Sequence, residues 1–247
     1  MSEKQIKSRQ RVADHGEVFT AEREVNAMLD LVKSETERID SRFLEPACGE
    51  GNFLIEILRR KLAVVKDKYG KRESDYEKAS IIALTSIYGV ELLEDNAIVC
   101  RNRLYSYWCE QYLLNCPNSI RDEVRNAAKY ILQKNILVGD ALSLKLVDSA
   151  QKPLNDPIVF AEWTFITGTK VKRRDYRLDV ILKAEDDFEQ LKTKKKVAIQ
   201  NSLFGDEDDS DTNSYDLYST DPVTHEIIPK PIKEYPPVDY WEVQNNG

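Results

Sequence analysis

Three carboxylates stand at comparable places in the chain, each closing a short apolar run: Glu45 after "RFL", Glu91 after "IYGV" and Asp140 after "ILVG". If those runs are parallel strands of one open sheet, their carboxyl ends share an edge, and the ligands of such sheets collect along that edge. A carboxylate after the second strand is the usual clamp for ribose hydroxyls, which makes Glu91 the candidate for that role. Glu45 opens the turn Pro46-Ala47-Cys48-Gly49-Glu50-Gly51. The two glycines suit a tight bend and a close backbone approach, because a residue without a Cβ takes positive φ readily. Glycine turns between a strand and a helix often cradle a phosphate, and Glu45 would repel one. S-adenosylmethionine has ribose hydroxyls, an adenine amino group, an α-amino group and a sulfonium, and carries no phosphate.

The elements that would position these carboxylates can be read from periodicity. "EVFTAEREVNAMLDLVKS" places Val25, Met28, Leu29 and Val32 at helical spacing after Thr20, which predicts a helix over about 21–34. "GNFLIEILRRKLAVVKDKYG" predicts a helix with Phe53, Ile57, Leu58 and Leu62 on one face, ended by Gly70. A helix over about 75–84 then precedes the strand "SIYGVEL". The long helix that follows shows Ala97, Cys100, Leu104 and Trp108 on one face and stops before Pro117. A further helix over 120–134 leads into "NILVGDAL". Strand, helix, strand, helix, strand is the order of a parallel sheet with right-handed crossovers, the first half of a Rossmann-like sheet. Beyond Leu142, "DPIVFAEWTFITGTKVKRRDYRLDVILKA" reads as two strands or a hairpin about Thr167-Gly168-Thr169, and residues 185–200 as a short charged helix.

Charge is unevenly spread. The chain of 247 residues carries −7 overall, yet residues 201–247 hold 11 acidic and 2 basic side chains, leaving 34 basic against 32 acidic before them. Five of the nine prolines also lie in that tail, so it is expected to be extended or disordered. The domain reading is a ligand-binding α/β domain over 1–150, a β-rich extension over 151–200, and the acidic tail over 201–247. The four cysteines form no Cys-x-x-Cys pair and only two histidines could join them, so a zinc site has little support. Without a neighbouring histidine in the sequence, Cys48 reads as a packing residue of the turn rather than a nucleophile. With no long apolar segment, a cytoplasmic protein without membrane attachment is expected.

"EPACGEGNFL" resembles the cofactor motif of the N6-adenine DNA methyltransferases of restriction–modification systems, members of the class I S-adenosylmethionine-dependent methyltransferases. Three further elements are similar to that family in the same order: the N-terminal "HGEVFTAEREVNAMLD", the ribose-binding strand and helix "YGVELLEDNAIVCRNRL", and the adenine-binding strand end "NILVGDAL". The resemblance implies a Rossmann-like core, an S-adenosyl-L-methionine cofactor and DNA as partner. It implies that Phe19 and Thr20 lie on the methionine side of the cofactor. Glu45, Ala47, Cys48, Gly49, Gly51, Asn52 and Phe53 would surround the methionine moiety. Glu91 and Leu92 would hold ribose and adenine, and Asp140 would accept from the adenine amino group with Ala141 and Leu142 beside the ring.

Two departures stand out. Ala21 takes the place of the family's proline after Phe-Thr, which loosens the start of the first helix. More importantly, no Asn/Asp/Ser-Pro-Pro-Tyr/Phe segment occurs, and that segment holds the target amine and stacks on the flipped base in the family. "NDPIVF" (155–160) and "EYPPVDY" (234–240) come nearest, with Asn155 and Asp156 the better candidates. The catalytic residues are therefore unassigned. The sequence supports an adenine-N6 methyltransferase-like protein or, alternatively, a catalytically deficient cofactor-binding or DNA-associated subunit that needs a second chain. A methyltransferase acting on RNA or protein is a third reading. "KVKRR" (170–174) and "KTKKK" (192–196), with Trp163 and Tyr176 near the first, are either phosphate-backbone contacts or solvated charge.

Overall fold

A computed structural model describes residues 20–183, 217–221, 224 and 227–246. Phe19, the "KTKKK" cluster, the charged helix expected over 185–200 and the most acidic part of the tail lie outside the described residues. The sheet that carries the three carboxylates begins with β1 (Phe43–Glu45), β2 (Ile87–Glu91) and β3 (Ile136–Asp140), adjacent and parallel. Helices α3 (Asn52–Tyr69) and α4 (Glu73–Thr85) connect β1 to β2, while α5 (Glu94–Asn115) and α6 (Asp122–Asn135) connect β2 to β3. Because the strands are parallel, Glu45, Glu91 and Asp140 emerge on one edge.

All five residues of β2 are buried, as expected of a central strand covered on both faces. Ile87 packs among the helices with Leu54, Leu58, Leu104 and Trp108. Tyr88 and Val90 point the other way, into a second cluster with Ile158, Phe160 and Leu178. The expected face of α5 is the observed one, since Ala97, Cys100, Leu104 and Trp108 are each 0% exposed.

After β3 the chain reverses rather than crossing over. β4 (Lys145–Val147) and β5 (Pro153–Pro157) extend the sheet antiparallel, giving the order β1-β2-β3-β4-β5. β6 (Val159–Phe165) and β7 (Lys170–Arg177) then form the expected hairpin, paired from Val159 and Arg177 to Phe165 and Val171. The Tyr88 hydroxyl donates to the Ala161 carbonyl at 3.0 Å, which ties this hairpin to the face of β2.

Two expectations are corrected. The first helix is shorter than 21–34: α1 spans Glu22–Asp30, and a separate turn of helix, α2, spans Lys33–Thr36. Only Val25 and Leu29 of its apolar set are buried, and Met28 is 55% exposed. The end of the tail is also ordered. β10 (Lys233–Glu234) and β11 (Val238–Asp239) pair with β7, following a small ribbon of β8 (Tyr218–Thr220) and β9 (Ile227–Pro229). Tyr240 and Val243 are buried in the helical core. Composition hid this because Glu234 and Asp239 find cationic partners on β7, and Pro231, Pro236 and Pro237 sit in linking segments where no ladder donor is needed.

Candidate functional site

The turn after β1 is built by backbone conformation and by close packing. Gly49 and Gly51 have φ of 53° and 83°, the region in which a side chain is strained. A Cβ on Gly51 would also stand 2.6 Å from Cys100 Sγ of α5. The Cys48 N–H donates to the Val90 carbonyl at 2.9 Å and the Gly51 N–H to the Cys48 carbonyl at 2.7 Å. The turn is thus closed on itself and anchored to β2. Cys48 is buried against Gly89, where an added Cβ would lie 2.9 Å from its sulfur. The Cys100 thiol beside it and its burial push its pKa up, so Cys48 packs rather than attacks.

Glu91 is tied to the turn after β1. It is 7% exposed, and its carboxylate accepts from the Gly49 N–H at 2.7 Å, the Leu93 N–H at 3.0 Å and the Asn96 amide at 3.4 Å. The end of β2 therefore sets the shape of the turn after β1. A carboxylate has roughly four lone-pair positions, so three protein donors leave room for a hydroxyl. Leu92 beside it is half-buried.

The other two carboxylates differ in kind. Burial raises the pKa of Glu45, against a smaller opposing effect of the Ala47 N–H bonded to it. A half-buried carboxylate whose ionised form is disfavoured gains from a cationic neighbour. Asp140 is pulled the other way: the Ser143 hydroxyl beside it, then the Leu142 N–H at 3.0 Å and the Ser143 N–H at 3.2 Å, hold its pKa low. This turn leaves the Leu142 side chain 96% exposed and Ala141 half-buried.

The N-terminal element meets the turn through Asn52, whose amide donates to the Thr20 carbonyl at 3.1 Å. Phe53 packs against the core, and Ala47 is exposed. Sequence reasoning missed Arg103, whose Nη1 donates to the Glu50 carbonyl at 2.7 Å and to Asn52 Oδ1 at 2.9 Å. Nothing in local spacing marks it out among the arginines of α5.

The catalytic candidates lie on the outermost strand of the sheet, two strands beyond Asp140. Asn155 and Asp156 lie exposed on β5, four strand positions from β1, which is about 19 Å at the usual strand spacing. The Pro-Pro segment of the tail serves packing: Tyr235 lies 4.2 Å from the Arg173 guanidinium, and the Tyr240 hydroxyl donates to buried Glu77 at 2.6 Å. The "KVKRR" strand is neutralised from within the chain. Lys170 pairs with Asp239 at 3.0 Å, Lys172 with Glu234, Arg173 with Asp175 at 2.7 Å, and Arg174 with Glu162 at 3.5 Å.

A family model described as the MmeI DNA-methyltransferase domain matches residues 19–170, more than half of the chain. No curated protein and no solved structure matches. Among the described residues, no helix is long and apolar enough to cross a membrane.

Proposed function

Because the chain belongs to the family of the MmeI DNA-methyltransferase domain, we propose that it is the cofactor-binding part of an S-adenosylmethionine-dependent DNA methyltransferase of a restriction–modification system, acting on adenine N6. The matched span holds all four ordered sequence elements except the residues before Phe19. We read β1 to β3 and their crossover helices as the first half of a class I methyltransferase core. The observation that carries the reading is the Glu91 carboxylate bridging the end of β2 to Gly49 of the turn, with Glu45 and Asp140 on the same edge.

The residues fit this cofactor. Bound there, S-adenosylmethionine supplies a methyl group on a positively charged sulfur. Glu45 faces the cationic end, and its own ionisation is favoured when that charge is present. Gly49 and Gly51 let the backbone come close, while Glu91 offers its remaining lone pair to a ribose hydroxyl. Asp140, held ionised, accepts from an amino group, and Leu142 covers the adenine. The three carboxylates disfavour a phosphate-bearing nucleotide in the same place.

Methyl transfer to an exocyclic amine further requires polar groups that position the nitrogen beside the sulfonium, since its lone pair is delocalised into the ring. No Pro-Pro-Tyr/Phe segment of that kind occurs in these 247 residues. The reading therefore leaves the groups that hold the target amine unassigned. DNA contacts must also come from surfaces other than β7, whose cations are already paired.

Isothermal calorimetry with S-adenosylmethionine tests the site: micromolar binding by the full chain, weakened at least ten-fold in Asp140→Asn, is expected. Labelled methyl transfer to unmethylated DNA, with the chain alone and with the product of a neighbouring reading frame, tests the division of labour. Transfer by the chain alone would show that these residues supply the positioning groups themselves.

A further inference from the structure

We propose that Arg103 is a positioning residue that locks the cofactor turn and couples it to the N-terminal element. Its guanidinium reaches from α5 across the turn. One nitrogen, Nη1, donates both to the Glu50 carbonyl, between the two left-handed glycines, and to the Asn52 side-chain oxygen. With its oxygen engaged, the Asn52 amide has its NH₂ group directed to the Thr20 carbonyl. A single cation thereby fixes three things that local sequence leaves free: the direction of the Glu50 peptide, the orientation of the Asn52 amide, and the position of the chain just before α1.

The geometry gives this arrangement a purpose beyond holding the fold. Both glycines of the turn have positive φ, and glycine is conformationally permissive, so the turn has little rigidity of its own. Glu91 holds it from one side through Gly49. Arg103 holds it from the other, through Glu50 and Asn52. The helix is held by Cys100, Leu104 and Trp108, which are fully buried, whereas Arg103 is only half-buried. Removing the guanidinium should release the turn and Thr20 while the helix stays packed.

The inference rests on the reading of this turn as the S-adenosylmethionine site. The experiment compares the full-length wild type with Arg103→Gln, Arg103→Lys, Asn52→Ala and the Arg103→Gln/Asn52→Ala double variant. S-adenosylmethionine affinity is measured by calorimetry and ligand-free thermal stability by circular dichroism. Losing a charge-assisted hydrogen bond to the turn should weaken binding about ten-fold or more in Arg103→Gln with an unchanged melting temperature. Arg103→Lys should recover part of it, and the double variant should lose less than the product of the single losses. In the ligand-free protein, trypsin should cut after Arg23 faster in Arg103→Gln than in wild type. Affinity within two-fold of wild type in Arg103→Gln, or a fall in melting temperature with unchanged affinity, would overturn the proposal. No binding by the wild type would instead overturn the reading of the site, and the trypsin comparison would still decide whether Arg103 holds the N-terminal element.

Discussion

Two stretches of this chain are dense in charge and come to opposite ends. The loops after β1, β2 and β3 carry Glu45, Glu91 and Asp140, whose protein partners are mostly backbone N–H groups. The strand "KVKRR" carries four cations, each paired with a carboxylate of the same chain, two of them from the C-terminal segment. N–H groups shape a carboxylate without cancelling its charge, whereas an ion pair removes the field that a ligand would feel. Charge in a sequence thus points to a ligand only where the fold does not supply the counter-charge.

The comparison can be broken most severely at the anchor of the C-terminal segment. Glu77 is buried and accepts from the hydroxyls of Tyr112 and Tyr240 and from Arg121. Arg121 in turn lies 4.2 Å over the Trp241 ring. Glu77→Ala leaves these donors unpaired and is expected to cost about 3 kcal/mol, read as a lowered urea midpoint. It should also free Lys170 and Lys172 of β7 from their tail partners, so DNA binding by the variant should rise and become more sensitive to salt.

On the other side of the comparison, Gly51→Ala forces a side chain into φ of 83° and against Cys100. The expected cost is about 2 kcal/mol of stability, together with loss of cofactor binding. A stable variant that still bound would show the turn to be less constrained than its packing implies.

Lys61 sharpens the contrast, because its amino group donates to neutral oxygens inside the core. It is fully buried at the foot of β1, and its amino group donates to the carbonyls of Ile39 and Ser41 and to the Ser86 hydroxyl. Burial pulls its pKa from 10.5 down to about 7. At Lys61 the unfolded chain therefore binds more protons than the folded one between pH 7 and 10.5, and the contribution of Lys61 to stability should rise with pH across that window. One group contributes at most about 1.4 kcal/mol per pH unit. Below pH 7 both states are protonated at this site and its slope vanishes. The difference between urea titrations of wild type and Lys61→Met should carry that slope.

The smallest effect is expected at the rim. Asp239→Asn breaks the pair with half-exposed Lys170 and should change stability by less than about 1 kcal/mol. A larger loss would mean that the tail is held by its charges rather than by Tyr240 and Val243.

Local pattern made part of this legible. The face of α5, the three parallel strands and their acidic ends all follow from apolar runs and 3.6-residue spacing, because each depends on neighbours within a few positions. The turn at Gly49 and Gly51 was legible for the same reason. Hidden were the contacts that join distant segments: Glu91 to Gly49, Arg103 to Glu50 and Asn52, and Tyr240 to Glu77. The ordered C-terminal strands belong with these, since the partners of their acids lie more than 60 residues away on β7. For Asn155 and Asp156, local sequence could not give their place, which strand order sets on the outer strand, two positions beyond Asp140.

The central claim is that the strand-end carboxylates form a cationic, phosphate-free cofactor site, and Glu45 tests it most directly. Calorimetry of wild type and Glu45→Gln should be compared with S-adenosylmethionine and with the uncharged thioether S-adenosylhomocysteine. The account predicts that Glu45→Gln weakens the sulfonium ligand more than the thioether, and that wild-type affinity falls on acidification through the raised Glu45 pKa. Equal losses for both ligands, or none, would contradict it.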